Sequence, residues 1–101
     1  PIARMIDATN AADSAAFVAC FTDDAYLEDW GRTFHGHEGV ASWNQSDNVG
    51  KRAHFEATGV RGDDTHQVVT IVSTGGGYNG TSDIEFEVRD GLISRLVIAP
   101  E

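Results

Sequence analysis

A carboxylate beside a tryptophan is the feature of this sequence best suited to acid–base chemistry. Asp29 ends a predicted short strand over residues 25–29, and Trp30 follows it directly. Packing against an aromatic ring removes water from a carboxyl group and favours its neutral form, which is one way to prepare a general base. The alternative is a structural carboxylate that caps the neighbouring loop. Asp29 is therefore a candidate catalytic residue, with a scaffold role as the competing interpretation.

Histidine supplies the second candidate, because its side chain exchanges protons near neutral pH. His54 lies on a predicted strand in which Phe55 faces the opposite way. If Phe55 points inward, His54 is exposed; in the other register it is a partner acid for Asp29. His35 and His37 are possible metal ligands, but two histidines two residues apart with no further spaced ligands make a weak signal. No metal and no cofactor is predicted.

Length and charge restrict the class of protein. The chain of 101 residues is predicted to form one domain, residues 1–101, around a single core. Its 16 acidic residues against 7 Lys and Arg give a formal charge of -9, and no basic cluster is present that would neutralise phosphates. Nucleic acid and anionic membranes are therefore not predicted as partners. The single cysteine, Cys20, lies in an apolar helix row, and the absence of an apolar span or signal segment favours a cytoplasmic location.

Hydrophobic periodicity predicts helices first and strands afterwards. Apolar residues three and four apart indicate a helix from Ile2, a second helix with Asp13 as N-cap, and a third beginning near His37 or Glu38. Residues 44–50 are polar and are predicted to form a loop. Alternating patterns then predict strands over residues 53–60, 65–74, a stretch around 83–89 and 92–98. This order predicts an α+β fold in which a curved antiparallel sheet covers the helices.

The predicted inward faces carry large apolar side chains that would line a ligand pocket. They come from the helices, the sheet and the segments next to Asp29: Met5, Phe17, Phe21, Trp30, Trp43, Tyr78, Ile84 and Phe86. The same residues would also suit an ordinary core. The run of three glycines at 75–77 is predicted to be a turn or bulge, because neither a lysine nor a helix start follows it.

Several local motifs resemble the nuclear transport factor 2-like superfamily, most closely its SnoaL-like and ketosteroid-isomerase-like members. They are Asn-Ala-Ala-Asp at residues 10–13, Phe-Thr-Asp-Asp-Ala at 21–25, Glu-Asp at 28–29, Phe-His-Gly-His-Glu-Gly-Val at 34–40 and Arg-Asp-Gly-Leu-Ile at 89–93. The resemblance covers nearly the whole chain. It implies a cone-shaped α+β barrel with a pocket between sheet and helices, and a homodimer formed by the other face of the sheet.

The resemblance also implies roles for single residues. Asp29 matches the general base of the isomerases, and His54 lies where related proteins often carry a pocket histidine. The positions of the two oxyanion donors of the isomerases are matched here by Met5 and Ile84, which cannot donate a hydrogen bond. Two functions remain open: a cofactor-independent isomerase, cyclase or dehydratase acting on an apolar carbonyl or polyketide-like compound, and a non-catalytic protein that binds an apolar small molecule.

Overall fold

A computed structural model describes residues 1–100 as three helices and a six-stranded sheet. In chain order the elements are α1 (Ile2–Asn10), α2 (Ser14–Ala19), β1 (Phe21–Asp29), β2 (Arg32–His35), α3 (Gly36–Asp47), a 3₁₀ turn (Val49–Lys51), β3 (His54–Gly62), β4 (His66–Thr74), β5 (Gly80–Arg89) and β6 (Leu92–Ile98). The predicted α+β class is confirmed. Within these residues, no helix has the length and apolar character needed to cross a membrane.

The sheet is mixed and open. Its strand order is β2-β1-β6-β5-β4-β3, so β2 and β3 are the edges. All neighbours are antiparallel except β1 and β6, which run parallel with Leu27 beside Leu96 and Asp29 beside Ile98. The predicted wholly antiparallel sheet is corrected at this pair. The pairing brings the carboxyl end of β1, next to the edge strand β2, beside the carboxyl end of β6.

The two N-terminal helices form as the sequence predicts. The carboxylate of Asp13 accepts a hydrogen bond from the backbone N–H of Ala16 at 3.0 Å, which makes it the N-cap of α2. Met5 on α1 and Phe17 on α2 are buried, and Phe17 packs against Phe21 with ring centroids 5.2 Å apart. The helices therefore cover the inner face of the sheet with one apolar core.

Three predicted boundaries differ from the structure. Strand β1 begins at Phe21, four residues before the predicted start of this strand at residue 25. Strand β2 is not among the strands predicted from the sequence, because its four residues are too few to show a periodic pattern. Helix α3 begins at Gly36 and continues to Asp47, through residues predicted to be a loop.

Helix α3 continues through this polar stretch because its asparagines find partners inside the protein. Asn44 donates to the Ser14 hydroxyl at 3.2 Å, and Asn48 donates to Asn44 at 3.1 Å and to the Thr9 hydroxyl at 3.0 Å. Both asparagines are buried. Hydrogen bonds of this kind compensate the loss of hydration, so the polar residues tie α3 to α1 and α2.

The outer face of the sheet has no helical cover. Strand β3 is exposed along nearly its whole length, and the outward residues of β4, which alternate with buried Val69 and Ile71, are half-buried: Val68, Thr70 and Val72. Outward residues of the neighbouring strands are half-buried or exposed. This face is where the homodimer predicted from the sequence would form, and the homodimer stays a prediction.

Candidate functional site

A cavity of about 270 Å³ opens between the end of α3 and the inner face of the sheet. The carboxyl end of β1, the 3₁₀ turn and the β4–β5 connection surround it. Its lining residues are Asp29, Trp30, Arg32, Trp43, Asp47, Asn48, Lys51, Ala53, Phe55, Ser73, Gly77, Tyr78, Ser82, Ile84 and Ile98. Charged groups thus lie near one wall, and apolar and hydroxyl groups form the others.

Two donors converge on one oxygen of Asp29. The indole N–H of Trp43 donates to Oδ2 at 2.9 Å, and the Arg32 guanidinium donates to the same Oδ2 at 2.8 Å. The Asp29 side chain is 15% exposed, and Trp43 is buried. Within residues 1–100, Oδ1 accepts no hydrogen bond. The carboxylate is therefore fixed by one oxygen while the other is available to a ligand.

This arrangement corrects the expected surroundings of Asp29. The sequence suggested a carboxyl group desolvated by Trp30, but the aromatic ring that contacts it is Trp43, fourteen residues away in sequence. A cation also accompanies the carboxylate. Because Trp43 and Arg32 both bind the Asp29 carboxylate, this group is not isolated in an apolar pocket.

Arg32 joins Asp29 to a second carboxylate. Its guanidinium donates to both oxygens of Asp47, at 3.1 and 3.3 Å, and Ser46 donates to Asp47 at 2.6 Å. Burial alone would raise the pKa of Asp47, but the hydrogen bonds from Arg32 and Ser46, with the charges of Arg32 and Lys51, hold that pKa below its usual value. The hydrogen bond to Asp47 raises the pKa of Arg32.

Because the pKa of Asp47 is lowered, we expect the free energy of unfolding to depend on pH through this residue. A carboxyl group with a depressed folded pKa stabilises the protein above its unfolded pKa of about 3.9, and this contribution is lost as pH falls through the folded pKa. We expect Asp47→Asn to be less stable than the parent at pH 7, with the difference shrinking below about pH 4. Urea unfolding between pH 2.5 and 7 measures this.

Asp64→Asn is the matched control, because the Asp64 side chain is exposed and forms no hydrogen bond in the described part of the chain. It should follow the parent at every pH. A difference between Asp47→Asn and the parent that stays constant down to pH 2.5 would contradict the assignment of the depressed pKa to Asp47.

Trp30 lies at the mouth of the cavity in an unusual backbone conformation. Trp30 and Gly31 connect β1 to β2 with φ of 51° and 83°. Two consecutive positive φ values are typical of the type I′ turn that favours Asn-Gly or Asp-Gly, as Asp90-Gly91 does between β5 and β6. A bulky residue at the first position is strained, and 54% of the Trp30 surface is exposed. Burial in the core therefore does not explain a tryptophan here.

We expect Trp30→Asn to stabilise the protein, by about 1 kcal/mol, because asparagine tolerates the left-handed conformation. The same change should weaken binding of aromatic compounds to the cavity. Equilibrium unfolding in urea measures the first effect. The control is Asp90→Asn, which changes the equivalent residue of the other turn and should be nearly neutral. A Trp30→Asn protein less stable than the parent would show that the exposed ring stabilises the fold.

The structure places only some of the predicted pocket residues at the cavity. Trp30, Trp43, Tyr78 and Ile84 line it. The other four pack in the core away from its lining, because the two N-terminal helices close that part of the sheet: Met5, Phe17, Phe21 and Phe86. Their expected contact with a ligand is corrected.

His54 is outside the cavity. It is exposed at the start of β3, whereas Phe55 is buried and lines the cavity from the opposite face. Because side chains alternate along a strand, the inward position of Phe55 turns His54 outward. The interpretation of His54 as a partner acid for Asp29 is therefore corrected.

Several lining residues were not predicted from the sequence. Arg32 forms an ion pair with Asp29, and Asp47 is connected to Asp29 through Arg32. Ser73 and Ser82 add hydroxyl groups to the side of the cavity formed by the sheet. A signal for the serines was present, since each falls on the inward positions of its strand in line with Ile71 or Ile84. Within residues 1–100, no three His, Cys, Asp or Glu side chains are grouped closely enough to hold a metal ion.

A second recess lies between α1 and α2. It measures about 440 Å³ and is more open than the cavity beside Asp29, with Arg4, Asp7, Ala8 and Cys20 among its lining residues. Burial raises the pKa of the Cys20 thiol, which disfavours a reactive thiolate. Although this recess is larger, we assign the candidate site to the cavity, where hydrogen-bonded charged groups converge.

Comparisons with known proteins identify the fold. Residues 2–96 match the family described as SnoaL-like domain. No curated protein matches the sequence. A candidate polyketide cyclase from Sinorhizobium meliloti is 24% identical with a TM-score of 0.82, covering 96% of this chain and 91% of that one. A Δ5-3-ketosteroid isomerase from Mycobacterium sp. is 17% identical with a TM-score of 0.84, over 99% and 89%. A computationally designed 17-OHP binder is 16% identical with a TM-score of 0.84, over 99% and 87%.

Proposed function

Because this chain belongs to the SnoaL-like domain family, we propose that its cavity binds an apolar small molecule on which Asp29 acts as a general base. One observation carries the proposal. Asp29 lines the cavity with Oδ2 fixed by Trp43 and Arg32, and with Oδ1 free of protein hydrogen bonds. A base must be held in place and must still have an oxygen for the proton that it accepts.

The reaction class follows from the groups present. Oδ1 of Asp29 takes a proton from a carbon next to a carbonyl group, and the electron pair of that C–H bond moves into the carbonyl. In isomerisation the proton returns to another carbon, and in dehydration it goes to a leaving hydroxyl group. In cyclisation the enolate carbon forms a bond to a second carbonyl carbon of the same molecule, and the oxygen of that carbonyl takes the electron pair of its C=O bond and the proton. Isomerisation, cyclisation and dehydration of a carbonyl or polyketide-like compound all fit this sequence, and none requires a cofactor.

Ile98 and Ile84 next to Asp29 support an apolar substrate. Ile98 is the residue paired with Asp29 across β1 and β6, and Ile84 is paired with Ile98 across β5 and β6. Both line the cavity. Apolar walls beside a charged group exclude water and strengthen its interactions with a bound molecule. A hydrocarbon skeleton would therefore lie along these strands with its reacting carbon near Asp29.

A second candidate function is non-catalytic binding of the same kind of ligand. It is favoured by the ion pair between Asp29 and Arg32 and by the absence of a hydrogen-bond donor on Met5 and Ile84. The ion pair occupies one oxygen of the carboxylate, and an enolate without donors lacks a stabilisation worth on the order of 10²–10³-fold per donor. The fold itself suits this role, since a designed protein that binds 17-OHP has a similar fold.

NMR titration with 2-tetralone, a two-ring ketone, tests the binding step shared by both functions. We expect saturable shifts of the indole N–H signals of Trp30 and Trp43, since both rings line the cavity. The amide of Val60, which does not line the cavity, is the internal control and should not move. Shifts confined to residues of the recess between α1 and α2, or no shifts at millimolar ketone, would contradict the proposal.

A further inference from the structure

Three hydroxyl groups gather at the end of the cavity formed by β4 and β5. Ser73 is only 8% exposed and lines the cavity, yet its hydroxyl group makes no hydrogen bond to any part of residues 1–100. Tyr78 and Ser82 line the same wall, and the Ser82 hydroxyl donates to the Tyr78 hydroxyl at 3.4 Å. We refer to Ser73, Tyr78 and Ser82 as the hydroxyl cluster.

The inward positions of both strands change from apolar to polar at the cavity. Along β4 they are Val69, Ile71 and Ser73, and along β5 they are Phe86, Ile84 and Ser82. The apolar residues fill the core, where a hydroxyl group without a partner would be costly. The serines appear only where the wall borders the cavity. The Ser73 hydroxyl is free to donate to and accept from a bound molecule, whereas the Ser82 and Tyr78 hydroxyls, which already donate to Tyr78 and to the Thr81 carbonyl, keep lone pairs that accept.

Gly80 leaves the space that the Tyr78 ring occupies. It lies directly opposite Ser73 in the β4–β5 ladder, on the inward side of β5. A Cβ atom at Gly80 would lie 2.6 Å from the Tyr78 hydroxyl oxygen and 2.9 Å from the ring carbon that carries it. The ring of Tyr78 therefore covers the glycine, and only glycine lets the tyrosine hydroxyl approach the sheet this closely.

We propose that the hydroxyl cluster binds an uncharged oxygen of the ligand, a hydroxyl or carbonyl group, at the end remote from Asp29. This deepens the proposed function and depends on the cavity being the ligand site. The Ser73 hydroxyl donates and accepts and the other two hydroxyls accept, so the cluster matches either kind of oxygen. The strand order places β6 and β5 between Asp29 on β1 and Ser73 on β4, a path of three strand spacings or about 14 Å along the curved sheet. The ligand is thus an apolar skeleton with a reacting carbon at one end and an oxygen at the other.

An uncharged oxygen fits better than a carboxylate. The cluster itself carries no cation, and the Arg32 guanidinium is already bound by two carboxylates at the other wall. Lys51 is the one lysine that lines the cavity, and its side-chain stem packs beside Gly77. A ligand with a carboxylate group would therefore bind through Lys51 and not through the hydroxyl cluster. A carboxylate probe and a hydroxyl probe distinguish these two modes of binding.

Binding of three two-ring probes tests the proposal: naphthalene, 2-naphthol and 2-naphthoate. We expect the parent to bind 2-naphthol roughly 3–10-fold more tightly than naphthalene, as one neutral hydrogen bond allows. Ser73→Ala should abolish this preference without changing naphthalene binding. Ser94→Ala, which removes a serine hydroxyl on β6 that bonds to Glu87 outside the cavity lining, is the matched control and should keep the preference. Gly80→Ala, which displaces Tyr78, should weaken 2-naphthol binding as well.

The outcomes separate this proposal from the proposed function. If naphthalene and 2-naphthol bind equally to the parent, or if Ser73→Ala weakens both equally, the hydroxyl cluster is not an oxygen site although the cavity binds ligands. If 2-naphthoate binds most tightly and Lys51→Met removes that preference, Lys51 binds the polar group of the ligand and the proposal is wrong. If no probe binds, the proposed function and the oxygen site both fail. Circular dichroism of each variant confirms that it is folded.

Discussion

Asp29→Ala is expected to lower the free energy of unfolding by about 2–3 kcal/mol at pH 7, because it removes a charged acceptor from two donors. The indole N–H of Trp43 has no other partner within residues 1–100, and Trp43 is buried. A buried donor that loses its acceptor carries the full cost of its desolvation. Arg32 keeps Asp47, so the exposed guanidinium contributes little to the loss.

Urea unfolding of three variants measures this effect. Asp29→Asn keeps an oxygen for the indole and should lose less stability than Asp29→Ala. Trp43→Phe removes the N–H group while preserving most of the ring, so Asp29→Ala should cost less in the Trp43→Phe background than in the parent. Equal costs of Asp29→Ala in the two backgrounds would show that the hydrogen bond between Trp43 and Asp29 does not stabilise the fold.

The second large effect is expected for Gly75→Ala, with a loss of about 3 kcal/mol. Gly75 has a φ of +133°, and a Cβ atom there would lie 2.5 Å from the carbonyl oxygen of Arg52. The substitution therefore combines backbone strain with a steric clash against another part of the main chain. The neighbouring N–H of Gly76 donates to the Lys51 carbonyl at 2.8 Å, so the β4–β5 connection packs on the 3₁₀ turn that borders the cavity.

Gly91→Ala separates the two causes. Gly91 also has a positive φ, +76°, but no atom lies within 4 Å of a Cβ built there. Only the strain applies, and we expect a loss of about 1 kcal/mol. Thermal or urea unfolding of both variants gives the comparison. If Gly75→Ala costs no more than Gly91→Ala, the close approach of the two segments does not constrain the cavity.

Local sequence patterns were sufficient for most of the fold. The N-cap at Asp13 and the alternating pattern around residues 83–89 depend on neighbours in sequence, and both are present in the structure. The register of β3 was not determined in this way. His54 and Phe55 fit the strand equally well in either orientation, and contact with the helices places Phe55 inside.

The candidate site was predictable only in part, because its key contacts are distant in sequence. Asp29 was identified from its position at the end of a strand, but its hydrogen bond from Trp43 requires α3 to lie over β1. Arg32 was not considered because β2 was not predicted. The turn at Trp30-Gly31 lacked the Asn or Asp that usually marks a type I′ turn, so the tryptophan at the cavity mouth gave no turn signal.

Deuterium exchange at the α-carbons of 2-tetralone in D₂O, followed by NMR, measures the action of Asp29 as a base in the cavity. We expect the parent to accelerate exchange above the buffer rate, Asp29→Asn to reduce that acceleration at least about 100-fold while still binding the ketone, and Asp64→Asn to match the parent. Saturable binding of 2-tetralone by the parent without acceleration, or unchanged acceleration by Asp29→Asn, would contradict the assignment of Asp29 as the general base.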